Sequence, residues 1–311
     1  MKIGMSLTTS YSSSRDSTEL MQNLIEQVKL MADLSFDSLS LGDHHVTSDH
    51  YFQVLPTMSH VAAYTGDMQL LPLFLLPFYN PILLAEQLAT LDVITGGRVT
   101  MISGLGHQPE AHDAFQTPQR VRVSRFVETF EIMRLLWDRN DASYHGKHYY
   151  FDNVSISPKP SSQPLRMWMG AGVDASIRRT AQMADAWVIT PGATPGYIEE
   201  KLGLYRAALE EFGRSEEVSE FVPRRDAHLA DTSEEGHKQA QVLFESGYRG
   251  YGQTEMEASL IVGGPEECIA YLERMAGLGI THVLFRCALD EREEALQTIR
   301  VLGEKVIPHF R

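Results

Sequence analysis

Asp43, His44 and His45 close the run Phe36-Asp37-Ser38-Leu39-Ser40-Leu41-Gly42. Bulky residues alternate through that run, as they do in a buried strand, and the chain then turns abruptly to an acid and two imidazoles. In a (β/α)8 barrel, the C-terminal ends of the strands carry the chemistry. A histidine placed there serves as a general acid or base near neutral pH. Successive side chains of a strand point to opposite faces, so at most one of the two imidazoles is expected to face a pocket. The other is expected to hold a loop or cap a neighbouring helix. A pair of structural histidines bonded to backbone is the plainer alternative. A metal site is the rival chemistry, because Asp43, His44, His45, His50 and His60 lie close together. Catalytic zinc, however, takes ligands from several strand ends. The first strand offers neither His nor Asp, His228 is the one clear later candidate, and His282 falls at the start of its strand. A catalytic metal is therefore not expected.

Two glycine-rich stretches could hold a ligand. Gly170-Ala171-Gly172-Val173-Asp174-Ala175-Ser176 reads as a turn from a strand into a helix. Glycines let the backbone approach a ligand closely. Free amides at a helix start cradle a phosphate. The Ser176 hydroxyl would add a bond, and Arg122 or Arg125 the positive charge. An ordinary turn with Asp174 as N-cap is the alternative. Gly104-Leu105-Gly106-His107 also follows a strand, and two glycines there suggest a flat ligand against the backbone or a tight turn. Leu73, Phe74, Leu75, Phe78 and Tyr79 would wall a ring-shaped ligand or simply fill the core.

These residues need a frame that brings strand ends together. Apolar periodicity predicts strands over 3–7, 36–41, 68–76, 99–103, 165–169, 186–190, 221–229 and 281–285. Helices are predicted over 18–34, 55–64, 81–94, 121–137, 175–184, 197–212, 234–245, 266–278 and 293–306. Residues 140–160 break the rhythm as a hairpin-like insertion, and 246–262 read as a loop able to act as an active-site lid. Alternating strands and helices imply a parallel sheet. No GxGxxG follows the first strand, which counts against an open dinucleotide-binding sheet. A single (β/α)8 barrel domain over 1–311 is the expectation.

The bulk properties narrow the partners. The chain has 27 basic and 41 acidic residues, a net charge of −14, which argues against nucleic acid or an anionic membrane surface. Cys268 and Cys287 form no CxxC pair, so a reducing compartment is expected. There is no signal-peptide pattern and no apolar run long enough to span a bilayer. A cytoplasmic protein is expected.

Taken in order, the motifs resemble the bacterial luciferase-like flavin-dependent oxidoreductases. The resemblance rests on Lys2-Ile3-Gly4, on Phe36-Asp37-Ser38-Leu39 ending in Gly42-Asp43-His44-His45, and on Leu76-Pro77-Phe78-Tyr79-Asn80-Pro81. Thr95-Gly96-Gly97-Arg98-Val99 before Gly104-Leu105-Gly106, then Arg125, Glu128 and Leu136-Trp137, continue it. Gly170-Ala171-Gly172, Asp185-Ala186-Trp187 and Gly263-Gly264-Pro265-Glu266-Glu267 complete it. The resemblance implies a TIM barrel of the luciferase-like type with loop insertions. It also implies an FMN-dependent monooxygenase. Reduced FMN, supplied by a separate flavin reductase, and O2 would oxygenate a small organic substrate. An F420-dependent hydride-transfer enzyme and a non-catalytic flavin-binding protein are the alternatives. His44 would stand at the catalytic position. Gly104 and the turn Gly170, Ala171, Gly172, Val173 and Ser176, together with Arg125, would hold the cofactor. The family pattern further implies a homodimer and a non-proline cis peptide near Pro72-Leu73, where Pro72 replaces the usual small residue. The arginine some luciferases carry near Leu105 is absent, so light emission is not expected.

Overall fold

The Asp16 carboxylate accepts hydrogen bonds from the Thr18 and Glu19 amides and so starts helix α1 (Ser17–Asp33). Such an N-cap is worth about 1 kcal/mol. Leu20, Leu24, Val28 and Met31 recur at helical spacing in α1 and are buried against the sheet. Asn80 caps α3 (Pro81–Ile94) in the same way, with Pro81 in the first turn where its missing N–H costs nothing. Repeated seven more times with variations, this strand-then-helix unit builds the molecule. A computed structural model describes residues 1–215, 220–248 and 258–311.

The barrel strands are β1 (Lys2–Leu7), β2 (Ser38–Leu41), β3 (Gln69–Leu75), β4 (Thr100–Gly104), β5 (Arg166–Ala171), β6 (Ala186–Ile189), β7 (Glu220–Leu229) and β8 (His282–Cys287). Each pairs in parallel with the next, and β8 pairs with β1, so the sheet closes. The intervening helices are α2 (Val54–Val61), α4 (Pro109–Ala114), α5 (Arg122–Asp138), α6 (Asp174–Met183), α7 (Pro195–Glu211), α8 (Ser233–Ser246), α9 (Pro265–Gly277) and α10 (Arg292–Val301). Leu71, Ile102, Trp168, Ala186, Val188, Val222 and Leu284 meet inside the ring. The alternate residues of the same strands pack outward against the helices in one larger core. Closure thus buries both strand faces and leaves the strand ends as the place for a site.

The predicted elements appear with boundaries shifted by one to three residues. Residues 140–160 do hold a hairpin, Ala142–His145 against Tyr150–Val154. Several short elements escaped prediction, among them the two-residue strands Ser10–Tyr11 and His50–Tyr51, which pair antiparallel. Helix α4 is short and polar, with no apolar stripe to betray it. Leu260–Gly263 is a brief strand beside the C-terminal half of β7, inside the stretch read as a loop; four residues are too few to show a period. Residues 249–257 of that stretch lie outside the described residues. The predicted helix over 293–306 ends at Val301 and passes into a wider turn, Leu302–Val306. Among the described residues the cis peptides precede Pro158 and Pro164, so β3 runs through Pro72 in trans.

The N-terminal end of the lumen is plugged by polar groups. Glu220 binds Lys2 at 2.8 Å and Arg166 at 3.0 Å, and Ser38 Oγ lies 2.8 Å from His282 Nε2. Burial pushes His282 from the ordinary 6.5 down to about 4. The folded protein therefore binds fewer protons than the unfolded chain in that window, and His282 stabilises the fold fully only above it. As the pH falls from 6.5 towards 4, on the order of 3 kcal/mol is lost from this group. Urea midpoints at pH 7 and pH 4.5, compared between the wild type and His282→Gln, measure it. Equal pH dependence in the two proteins would contradict the assignment.

Candidate active site

Gly42, Asp43, His44 and His45 leave β2 at the C-terminal mouth of the barrel. Asp43 is only 8% exposed. Its carboxylate accepts from the Leu75 amide at 3.0 Å and the Tyr79 hydroxyl at 2.9 Å, and His45 Nε2 lies 3.2 Å away. The His45 ring is boxed by Phe78, Tyr79 and Phe115 at centroid distances of 5.7, 5.8 and 5.0 Å. His45 is thus the loop-holding member of the pair. Asp43 ties the end of β2 to the end of β3, and burial together with Asp43 drives the Tyr79 phenol far above its ordinary value.

His44 points the other way. It is half-buried, with the Tyr51 ring at 5.2 Å, and Gln53 Nε2 donates to its backbone oxygen at 3.1 Å. Burial lowers its pKa, helped by the nearby His45 and His107 and opposed by Asp43. The imidazole is therefore neutral at pH 7 and ready to accept a proton. His107 itself is exposed and acts on His44 through charge.

The two glycine-rich strand ends lie side by side. Leu75 is in register with Gly104, and Ser103 with Met169, so the next step sets Gly104 beside Gly170. A Cβ on Gly170 would meet one atom within 4 Å, the Ser103 oxygen at 3.5 Å, so the strand offers open backbone there. A Cβ on Gly104 would press on Leu75 Cδ2 at 3.1 Å. Leu73 and Leu75 stand half-buried next to this bare patch. A planar ligand can lie flat only against such a surface.

The 170–176 turn is held from below. Trp187 Nε1 donates to the Ala171 oxygen at 2.9 Å, and the Tyr197 hydroxyl to the Gly172 oxygen at 2.6 Å. Gly172 sits where a Cβ would come within 2.7 Å of Thr190 Cγ2. Val173, 67% exposed, is the N-cap, not Asp174. Asp174 is the first helical residue, and its carboxylate pairs with Lys201 at 2.9 Å. The Ser176 hydroxyl accepts from the Val173 amide at 3.1 Å and donates to the Val173 oxygen at 2.7 Å, so it closes the helix start. The Ser176 amide bonds the Val173 oxygen at 2.8 Å, which leaves the Asp174 and Ala175 amides as the first-turn donors an anion could use. A cavity of about 340 Å³ opens alongside, between Gly172, Thr190, Gly192, Thr194 and Tyr197.

Arg125 is engaged elsewhere. Its Nη2 donates to the Tyr149 hydroxyl at 2.8 Å and its Nε to the Pro77 oxygen at 3.4 Å, with the Tyr149 ring beneath it at 5.1 Å. Glu128 sets up this contact by accepting the Lys147, His148 and Tyr149 amides. Arg122 bonds the Gln119 oxygen. The structure thus gathers His44, Gly104 and Gly170 around the mouth, and records Arg125 against the hairpin and the end of β3. Periodicity had not revealed two further mouth residues, Asp226 and Arg286, which pair inside the ring. The available signal was a charged residue on the lumen-facing alternation of an apolar strand.

The mouth suits an FMN-like group: bare backbone for a ring, apolar side chains beside it, and helix amides for a phosphate. Among the described residues the histidines form no metal cage; His50 bonds the Arg15 oxygen and His228 lies 2.8 Å from Gln239.

Known proteins fit this geometry. Residues 1–282 match the family described as luciferase-like monooxygenase. The F420-dependent glucose-6-phosphate dehydrogenase of Microbacterium testaceum (strain StLB037) is 26% identical over 91% of each chain. The monooxygenase RslO1 from Streptomyces bottropensis superposes with a TM-score of 0.87 at 22% identity, covering 100% of both chains. The FMN-bound oxygenating constituent of 3,6-diketocamphane monooxygenase from Pseudomonas putida gives 0.83 at 16% identity, over 99% of this chain and 98% of that one. Sequence relatives and structural neighbours thus include both F420 and FMN enzymes. The chain belongs to the luciferase-like monooxygenase family, on a closed eight-stranded barrel.

Proposed function

We propose that the chain is an FMN-dependent monooxygenase acting on a small organic substrate, with reduced FMN delivered by a separate reductase. The observation that carries this reading is His44, a half-buried neutral imidazole at the C-terminal end of β2, on the same mouth as the bare backbone of Gly104 and Gly170. Such a site can move a proton but cannot supply electrons, so a bound redox group must supply them. Reduced FMN would provide the electrons that activation of O2 requires.

The chain's own residues do the rest. Gly104 and Gly170 leave room for a ring, and the first amides of α6 receive a phosphate. Asp43 and His45 fix the loop that carries His44. Leu73, Leu75 and Phe78 keep water from the reacting atoms, which protects a reactive oxidant from wasteful breakdown. His44 takes or returns a proton at the substrate.

A second reading, F420-dependent hydride transfer, is favoured by the relative at 26% identity. One pair of measurements separates them. The protein is titrated with FMN and with F420, and reoxidation of photoreduced FMN by O2 is followed with and without protein. The expected outcome is saturable FMN binding and reoxidation slower than that of free flavin. Tight F420 binding with reoxidation at the free-flavin rate would transfer the assignment to the second reading.

A further inference from the structure

We propose that Arg286 anchors an anionic oxygen group of the substrate, a carboxylate or a phosphoryl group, on the β7–β8 side of the mouth. The proposal rests on the reading of the mouth as a redox site, and it names the substrate class that the site selects.

Position comes first. Leu284 belongs to the lumen cluster, and Arg286 follows two residues later on the same face of β8. Val222 is likewise a lumen residue, so Arg224 and Asp226 on β7 face inward too. Asp226 is in register with Arg286. Both stand at the C-terminal end of the ring. β4, which carries Gly104, lies four strands round from β8 and therefore across the lumen. An anchored substrate would be held facing the bare-backbone patch.

The bonding of Arg286 points to a ligand. The residue is 6% exposed. Both of its side-chain hydrogen bonds among the described residues leave from Nη2, one to Asp226 and one to the Tyr248 hydroxyl at 2.8 Å. The Tyr248 hydroxyl in turn donates to Asp226 at 2.8 Å. The guanidinium is thus clamped from one side, while its buried Nε–H has no acceptor among the described residues. A guanidinium has five donors in a rigid fork that matches carboxylate and phosphate oxygens. A buried donor without an acceptor is costly and calls for an explanation.

Stability does not supply one. Leu71, Leu73, Ile102, Val188, Val222 and Leu284 already line the lumen, and apolar residues in place of a buried ion pair commonly hold a fold as well or better.

Bromide tests the proposal without needing the substrate. Crystals of the full chain are soaked in bromide, and anomalous density is examined at the mouth. The expected result is a peak within bonding distance of the Arg286 guanidinium, weakened roughly tenfold or more in Arg286→Met. Arg286→Met removes the charged partner seen for the buried Asp226 carboxylate, so the double variant Asp226→Asn/Arg286→Met is measured beside it, with folding checked by circular dichroism. Displacement of bromide by acetate identifies a carboxylate site, and displacement by inorganic phosphate a phosphoryl site. No peak, a peak that persists in both folded variants, or an adventitious ion held only by other residues overturns the proposal. FMN affinity is measured in the same proteins. A tenfold loss in the variants would assign Arg286 to the cofactor and overturn the proposal, whereas a wild type that binds bromide at Arg286 but no FMN would sink the redox reading alone.

Discussion

His44→Ala is expected to lower turnover by roughly 100- to 1,000-fold, the usual share of one positioned acid–base group, while FMN affinity is expected to change by less than about threefold. Under the proposed function the two effects separate, because His44 would carry a proton, whereas the glycine ends and the α6 amides would carry the cofactor. Among the described residues no other imidazole shares its setting: His45 is committed to Asp43, and His107 is exposed. The pH profile gives an independent check. Burial depresses the His44 pKa, so the basic form survives below the ordinary histidine range. Turnover should hold as the pH drops through that range and fall only at lower pH, as His44 protonates. Steady-state oxygen uptake with reduced FMN, measured across pH for the wild type and for His44→Ala, tests both claims. An alanine variant with near-normal turnover would remove His44 from the chemistry.

Asp43→Ala is expected to cost on the order of 3 kcal/mol of stability, because a buried carboxylate disappears from among three partners. The Leu75 amide and the Tyr79 hydroxyl lose their acceptor, and His45 loses its counter-group. The damage is not confined to stability, since the same carboxylate ties the end of β2 to the end of β3. With that tie cut, the segment carrying His44 should wander and turnover should fall by a further factor of roughly ten, as misplaced catalytic groups lose their advantage. Asp43→Asn, which keeps the shape and one acceptor, should lose less on both counts. Urea unfolding gives the first quantity and oxygen uptake the second. A midpoint within about 0.5 kcal/mol of the wild type, the range of an unremarkable surface change, would show the network to be incidental.

Much of the site was legible because its cues are local. Adjacent residues on a strand must point apart, which is why His44 and His45 have different duties. Glycines at two strand ends had to mark close backbone approach or a turn, and the register sets them side by side. The cap of α6 went the other way. Asp174 is a good N-cap type, yet Lys201 draws its carboxylate and Ser176 closes the turn instead. That outcome depends on α7, which lies in the next unit. Arg125 is similar: its type suits a phosphate, but Glu128 folds the hairpin so that Tyr149 takes the guanidinium.

The alternation of apolar strands and amphipathic helices, and with it the barrel, was written in the sequence, because each element's period is set by neighbours three or four residues away. Contacts between distant units were not. Asp43 meets Tyr79 across 36 positions, Ser38 meets His282 across 244, and Asp226 meets Arg286 across 60. Only closure of the ring sets those distances, since the stagger of eight strands decides which inward side chains share a level. The tertiary structure alone therefore revealed the Asp226–Arg286 pair across the lumen from Gly104.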